Sequence, residues 1–453
     1  MNSASAAITP PAGETDRRYR FFPGWTMLGV SAAAQFMSAP GQSYSVAAFK
    51  GPMQLGLGIS ETNFSLAYGF ATILSGISLP YVGRLIDRLG ARRLLPIIAL
   101  LLGGACVCMS RTSGLGSLYI SFSLVRSLGQ GALTLVSIWL VGEWFERRRG
   151  FATALAGLGG SLSVMFFPLM NWWLIGQFGW QAGWLVLAAL VWGVLLVPSM
   201  FLIRDRPEEL GLLPDGDKPV SETDPRASTS AEVHKGAMFS ERTATNRLAT
   251  EPASVSSGWL VADVLRDATF WKLLAVPATS GMVGTGLVFH AVSLLGSRGV
   301  PAGWALALIS FQAVVATVVA LAAGRLTDHY PNHYLLAIAM LLLASSVTIV
   351  LVMPWTAFAI VYATLLGLHG SILRSAGMVV WMTYYGRAHQ GEIRGFAMAI
   401  MILGAAVGPL PLALSADWLG SYTPALIAFM IAPLAAAGLV LTAGPPKNPG
   451  VLH

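Results

Sequence analysis

Twelve apolar runs, most of them about 20 residues long, fill this sequence. The hydrocarbon core of a bilayer is about 30 Å thick, and a helix of about 20 residues crosses it. In that medium every backbone N–H and C=O must be satisfied within the segment, which selects helices here. The runs lie at 24–48, 63–83, 93–111, 114–143, 149–176 and 180–203, then at 270–296, 303–325, 333–353, 356–385, 394–418 and 422–442. Only 11% of the chain is charged, with mean hydropathy +0.65. A soluble chain carries roughly twice that charge. The expected class is an all-α membrane protein with twelve transmembrane helices.

Charge placement orients the spans. All but five of the 28 Lys and Arg residues fall on one side of the membrane. They include Arg17, Arg18, Arg20, Arg84, Arg88, Arg92, Arg93, Arg147, Arg148, Arg149, Arg325, Arg387 and Arg394. The opposite side holds Lys50, Arg111 and Arg298. Positive loops stay in the cytoplasm, so both termini and the central linker are expected there, in a plasma or inner membrane. The net charge of +7 is then a topology signal and not a nucleic-acid footprint. The expected divisions are a tail at 1–23, a six-helix bundle at 24–204, a polar linker at 205–262, a second bundle at 263–443 and a tail at 444–453. Residues 1–25 show no short apolar h-region with a cleavage site, so no signal peptide is expected there. Cys106 and Cys108 read as small buried residues in an apolar run, not as a disulfide.

The halves repeat each other. "GRLIDRLGARR" (83–93) matches "GRLTDHYPNHY" (324–334), and Gly83 and Gly324 stand 241 residues apart. "RRRGFATALAGLGGS" (147–161) matches "EIRGFAMAIMILGAA" (392–406), with Arg149 and Arg394 separated by 245. Two matches at nearly one spacing mark parallel repeats about an axis along the membrane normal.

These residues resemble a known family. "GRLIDRLGARR" is similar to the signature loop between the second and third helices of the major facilitator superfamily, through Gly83, Leu85, Asp87, Arg88, Gly90, Arg92 and Arg93. The resemblance implies the major facilitator fold and a conformational latch. That assigns gating roles to Gly83, Asp87, Arg88, Gly90, Arg92 and Arg149, and to Arg394 and Asp328 in the second copy. The second copy lacks the matching Arg and Gly, so the latch is asymmetric. Gly83 also suits close helix approach, and Asp87 suits a helix N-terminus or an arginine. "APGQSYS", "WFERRRGFATALAGLGGS" and "RPEELGLLPDGD" resemble the monocarboxylate-porter and oxalate/formate-antiporter branch, which implies small organic anions.

The two remaining cations, Arg126 and Arg374, fall inside helices. Arg126 lies 12 residues beyond Gly114, about 18 Å into its helix. Acidic residues meet the spans only near their ends, at Glu143 and Asp417. Charge without a counter-ion at that depth is expensive, and a guanidinium pairs a carboxylate through two hydrogen bonds. An anionic substrate is the expected partner. Arg126 also resembles a helix-4 arginine shared by carriers of unlike solutes, so a structural or coupling role stands beside anion contact. Other candidate lining residues are Gln42, Tyr44, Gln312 and His290, and "SAPGQSYS" would interrupt the first helix at Pro40 and Gly41. His290 and His369 are candidate proton carriers or hydrogen-bonded packing residues. Gly404/Gly408 and the rows Ala152/Ala156/Gly160 and Thr153/Gly157/Ser161 are small enough for close helix approach.

No phosphate-binding loop, metal cluster or nucleophile–base pair appears. We read no enzyme and no cofactor. The expected function is secondary active transport of a small organic anion, monocarboxylate-like, by alternating access, with proton symport or exchange. The partners are the substrate, protons and the lipid bilayer, and the unit is a monomer. The alternatives are a proton-driven exporter of drugs or hydrophobic solutes and a transporter-like sensor.

Overall fold

The computed structural model describes residues 22–216, 259, 261–386 and 390–446. The basic N-terminal tail, most of the linker and the last residues lie outside them. Ten helices among the described residues are long and apolar enough to cross a membrane. That tally differs from the expected twelve for two local reasons. The first run is divided, with α1 (Gly24–Phe36), a 3₁₀ turn at Ala39–Gly41 and α2 (Ser43–Leu57). Pro40 lacks an N–H and cannot continue the ladder. The run from Gly150 to Leu202 is counted once, although Gly179 sits at φ +81 and ψ 167 inside it, a turn that glycine allows.

The remaining elements follow in order. α3 is Glu61–Leu89 and α4 is Ala91–Ser110. α5 (Leu115–Val125) passes through a wider π-type stretch, Arg126–Leu133, into α6 (Thr134–Trp144). α7 is Arg149–Leu190 and, after a second π-type stretch, α8 is Val197–Leu202. After the linker come α9 (Val261–Arg266), α10 (Ala268–Phe289) and α11 (Ala291–Gly296). α12 is Ala302–His329, α13 Asn332–Val352 and α14 Phe358–Tyr385. α15 (Gln390–Val407), α16 (Pro409–Leu419) and α17 (Thr423–Leu441) close the chain.

Two large apolar cores hold these helices, and a small third cluster of Ala47, Ala48, Ala291, Leu306 and Ile309 joins the halves. One large core is built from residues between Met27 and Ile203 with Phe289 added, the other from residues between Trp259 and Ala443. Phe289 therefore crosses from the second half into the first, where its ring lies 4.4 Å from that of Tyr68. Cys106 is buried, as its apolar run suggests, but Cys108 is exposed on the other side of the helix. A position two residues along a helix turns about 200° from the first, so one face cannot bury both.

On the linker face two carboxylates stitch the first half together. Asp205 Oδ1 accepts the backbone N–H of Arg92 at 2.7 Å, at the start of α4. Gly90, just before it, has φ +74, and a side chain there would overlap the Asp205 carboxylate. Asp215 accepts the backbone N–H groups of Glu146, Arg147 and Arg148 ahead of α7, the Arg147 bond being 2.7 Å long. Burial raises the Asp215 carboxyl, but those N–H bonds more than offset it and hold the group below its ordinary 3.8. A depressed carboxyl stabilises the fold at neutral pH and loses that contribution as pH falls through its folded value. The clasp should therefore persist at neutral pH and release below about pH 4. Hydrogen exchange at the amides of 146–148 checks this. Asp215→Asn should lower the protection factors there at neutral pH to those the wild type shows only in acid, each taken relative to the intrinsic exchange rate at its pH.

Candidate functional site

Where the first helix breaks, its backbone needs a partner inside the bundle. Arg126 supplies it: Nη1 donates to the Gly41 carbonyl at 2.8 Å. The guanidinium also lies over the Tyr68 ring, with Cζ 4.2 Å from the ring centroid. Tyr68 is held by a 2.6 Å hydrogen bond to Ser43, just past the same break. Arg126 is 1% exposed, and its Nε and Nη2 have no hydrogen-bond partner among the described residues. Gly41 fits the site sterically. A Cβ there would lie 2.6 Å from Gln130 N and 2.7 Å from Val125 O, both backbone atoms.

The other expected lining residues are dispersed around this break. Gln42 Nε2 donates to Ser38 Oγ at 3.3 Å. Tyr44 bonds Ser163 Oγ at 2.7 Å, and Ser163 donates to the Phe36 carbonyl at 2.8 Å. This ties both sides of the break to α7. Gln312 is half-buried on α12, and its amide has no hydrogen bond to a described residue. Arg374 is exposed on α14. Neither it nor Arg126 forms an ion pair with a described residue.

The two histidines have different surroundings. His369 Nδ1 donates to the Ala339 carbonyl at 2.8 Å, and Nε2 meets Ser280 Oγ at 2.9 Å. Both partners belong to the second half. His290 is fully buried between the halves. Its Nδ1 lies 2.6 Å from Lys50 Nζ and 3.1 Å from Glu61 Oε2. Lys50 and Glu61 pair at 2.9 Å. Glu61 escaped the sequence reading, which began the second helix at 63. It is the first residue of α3, capped by Ser60. The legible signals were the "SET" start of that helix and a lysine just beyond the previous apolar run.

The halves meet on the face opposite the linker and down toward the middle. Thr62 N–H donates to Asp417 Oδ2 at 2.7 Å, and Tyr422 donates to Glu61 Oε2 at 2.8 Å. Ser310 Oγ reaches the Val164 carbonyl at 3.5 Å. A Cβ on Gly69 would lie 2.6 Å from the Ala406 carbonyl oxygen. Gly404 and Gly408 pack against the backbone of Ala278 and Met282, within their own half. Ala152 and Ala156 are buried.

The signature loop differs from its expected packing. A Cβ on Gly83 would meet nothing within 4 Å, so no described helix approaches closely there. Asp87 and Arg88 are exposed, and neither has a hydrogen bond or ion pair to a described residue. The acidic cap at the start of α4 is Asp205, which lies nearest to it and leaves no open N–H for Asp87 at Arg92. Arg394 is half-buried at the linker end of α15. The side chains of Arg149 and Asp328 lie outside the described residues. An apolar recess of about 380 Å³ at the far face, lined by Val300, Trp304, Leu308 and Ile360, holds neither arginine.

Two like helical bundles joined through an interface of this kind define a multi-pass membrane transporter class. The sequence profile of the Major Facilitator Superfamily matches residues 31–409, and the chain belongs to that superfamily. Monocarboxylate transporter 14 of Mus musculus is 26% identical over 167 residues, 36% of this chain and 31% of that protein. Monocarboxylate transporter 6 of Homo sapiens is 31% identical over 130 residues, 28% of this chain and 25% of that one. A multidrug resistance protein B homolog of Mycobacterium tuberculosis is 34% identical over 134 residues, 28% and 24% of the two chains. The matched stretches thus span about a third or less of these relatives. A crystal structure of the peptide transporter POT superposes with TM-score 0.67 at 15% identity, covering 94% of this chain and 96% of that one. That likeness concerns the fold.

Gly41→Ala should cost roughly 1–3 kcal/mol, since two backbone segments must move to admit one methyl. The check is a fall in the melting temperature of purified protein in detergent, alongside an unchanged Gly29→Ala control, which faces open space.

Proposed function

We propose that this protein is a secondary transporter of a small organic anion, monocarboxylate-like, working by alternating access. The observation that carries the reading is the pair Arg126 and Arg374, two guanidinium groups within helices and without an acidic partner among the described residues. Two buried donor nitrogens of Arg126, Nε and Nη2, have no partner among the described residues, and a buried donor without a partner costs about 1–3 kcal/mol. A carboxylate arriving from solvent satisfies such groups with charge-assisted bonds. Arg374 is the accessible member and the first contact for substrate. Arg126 combines a structural bond to Gly41 with spare donors. Gln312 and Tyr44 are proposed as polar lining, and the loop residues Gly83, Asp87, Arg88, Gly90, Arg92, Arg149, Arg394 and Asp328 as a latch on the linker face. In this reading the linker face is cytoplasmic in a plasma or inner membrane, the unit is a monomer, and transport is proton-coupled or by exchange. The monocarboxylate relatives support the substrate class.

A proton-driven exporter is the second reading, favoured by the match to the multidrug resistance homolog. Counterflow in proteoliposomes with mono- and dicarboxylates, nitrate and cationic drugs separates the two. Carboxylate counterflow is expected, and uptake confined to cations would overturn the anion reading. Arg374→Gln should lower carboxylate binding by at least about tenfold, the loss of one charged hydrogen-bonded contact of about 1.5–3 kcal/mol. Wild-type affinity in a folded Arg374→Gln protein removes that residue from the site.

A further inference from the structure

The cluster around His290 joins the two halves at the face opposite the linker. Its members come from α2 and α3 of the first half and from the α10–α11 junction, α16 and the residue before α17 of the second. Lys50 lies in the middle of α2 and Glu61 begins α3, both in the first half. His290 and Ser293 lie at the junction of α10 and α11, and Tyr422 precedes α17. Asp417, on α16, holds the Thr62 N–H. Phe289 places its ring 5.6 Å from Lys50 Nζ. Arg298 is the nearest other cation in the chain of the second half, and its Nη2 turns to Thr423 Oγ1 at 3.4 Å.

Counting donors and acceptors fixes how many protons this cluster holds. His290 Nε2 lies 2.9 Å from the Pro409 carbonyl. A carbonyl only accepts, so Nε2 carries a hydrogen. Lys50 has three N–H groups and three neighbours in reach: Glu61 Oε1 at 2.9 Å, His290 Nδ1 at 2.6 Å and Ser293 Oγ at 3.0 Å. Glu61 Oε2 takes the Tyr422 hydroxyl at 2.8 Å. Every bond is made when Lys50 is an ammonium, Glu61 a carboxylate and His290 neutral. One contact is then left unsatisfied: His290 Nδ1 and Glu61 Oε2, two acceptors, face each other at 3.1 Å.

A further proton has a place between those two atoms, but not beside Lys50. Bound to Nδ1, it makes a good bond to Glu61 and turns the 2.6 Å Lys50–His290 contact into two cations opposed. Bound to Glu61, it removes the charge that holds Lys50. Either way the single lone pair of His290 Nδ1 is taken, so Lys50 must withdraw from His290, in the other half.

We propose that Lys50, Glu61 and His290 form a proton-operated gate, closed as seen here, which opens the far face on taking up one proton. The gate concerns alternating access, so it deepens the transporter reading above, but it does not depend on which solute is carried. Proton uptake would free the Lys50–His290 contact and leave the Gly69–Ala406 approach, nearer the middle, as the hinge of the opening.

Spin labels on Ser113→Cys and Thr356→Cys, exposed positions on opposite halves of the far face, report the opening in a Cys108→Ser background. The protein is full-length, substrate-free and in liposomes. Between about pH 7.5 and about pH 5.5, a range that spans imidazole titration, a long-distance population should grow. A single proton gives up to about a tenfold rise in the open-to-closed ratio per pH unit. Lys50→Met gives the sharper result. Without the opposing ammonium, imidazolium and Glu61 attract each other, so acid should close the far face instead of opening it. A packing role for His290 would give neither response. A wild-type distance that ignores pH, or acid-driven opening that survives Lys50→Met, overturns the gate. Because no solute is present, pH-independent distances with intact carboxylate counterflow refute the gate alone, and absent counterflow with a pH-dependent distance refutes the substrate reading alone.

Discussion

A bare carbonyl and a bare cation are each costly in hydrocarbon, and this protein sets one against the other. The first membrane segment breaks at Pro40 and Gly41, and Arg126 answers the break with a 2.8 Å bond to the Gly41 carbonyl. Much of the first half is arranged around that contact. Tyr68 supports the guanidinium face, Ser43 holds Tyr68, and Tyr44 with Ser163 carries the support across to α7. The π-type stretch from Arg126 to Leu133 lies against the 3₁₀ turn, where Gly41 permits backbone contact. Extra residues inserted into a helix as π turns recur at functional sites, and this one carries the arginine.

The same accounting separates the charged groups of the bundle. Lys50 has Glu61, His290 and Ser293 around it and needs nothing from solvent. Arg374 and Arg126 have no such acid among the described residues. The first group closes an interface, and the second leaves positive charge available. A transporter needs both kinds of site, one that changes between states and one that holds solute. In the proposed reading they sit on different residues.

Much of this was legible in the sequence. Apolar run length gave the helical membrane class, and the Arg149–Arg394 spacing gave two related halves, because both are set by local pattern. Pro40 and Gly41 signalled the helix break, since proline acts through its own missing N–H. The partner of the break was not legible, because the spacing between Arg126 and Gly41 is a tertiary fact. Glu61 was passed over for a similar reason. It read as a loop residue two positions outside an apolar run, and only the packing of α2 against α10 and α11 brings it to His290. The Gly83 loop pattern identified the superfamily but not its contacts here, where Asp205 occupies the neighbouring helix start. His290 and His369 looked alike in sequence. Only their surroundings distinguish a residue satisfied within one half from one shared by two.

The central claim is that unanswered arginine charge in the bundle receives an anionic solute. Charge displacement recorded from proteoliposomes on a solid-supported membrane tests it most directly. Addition of a small carboxylate should give a rapid transient with the sign of negative charge entering the protein, and Arg374→Gln should abolish it. A transient evoked by organic cations and not by carboxylates would contradict the account.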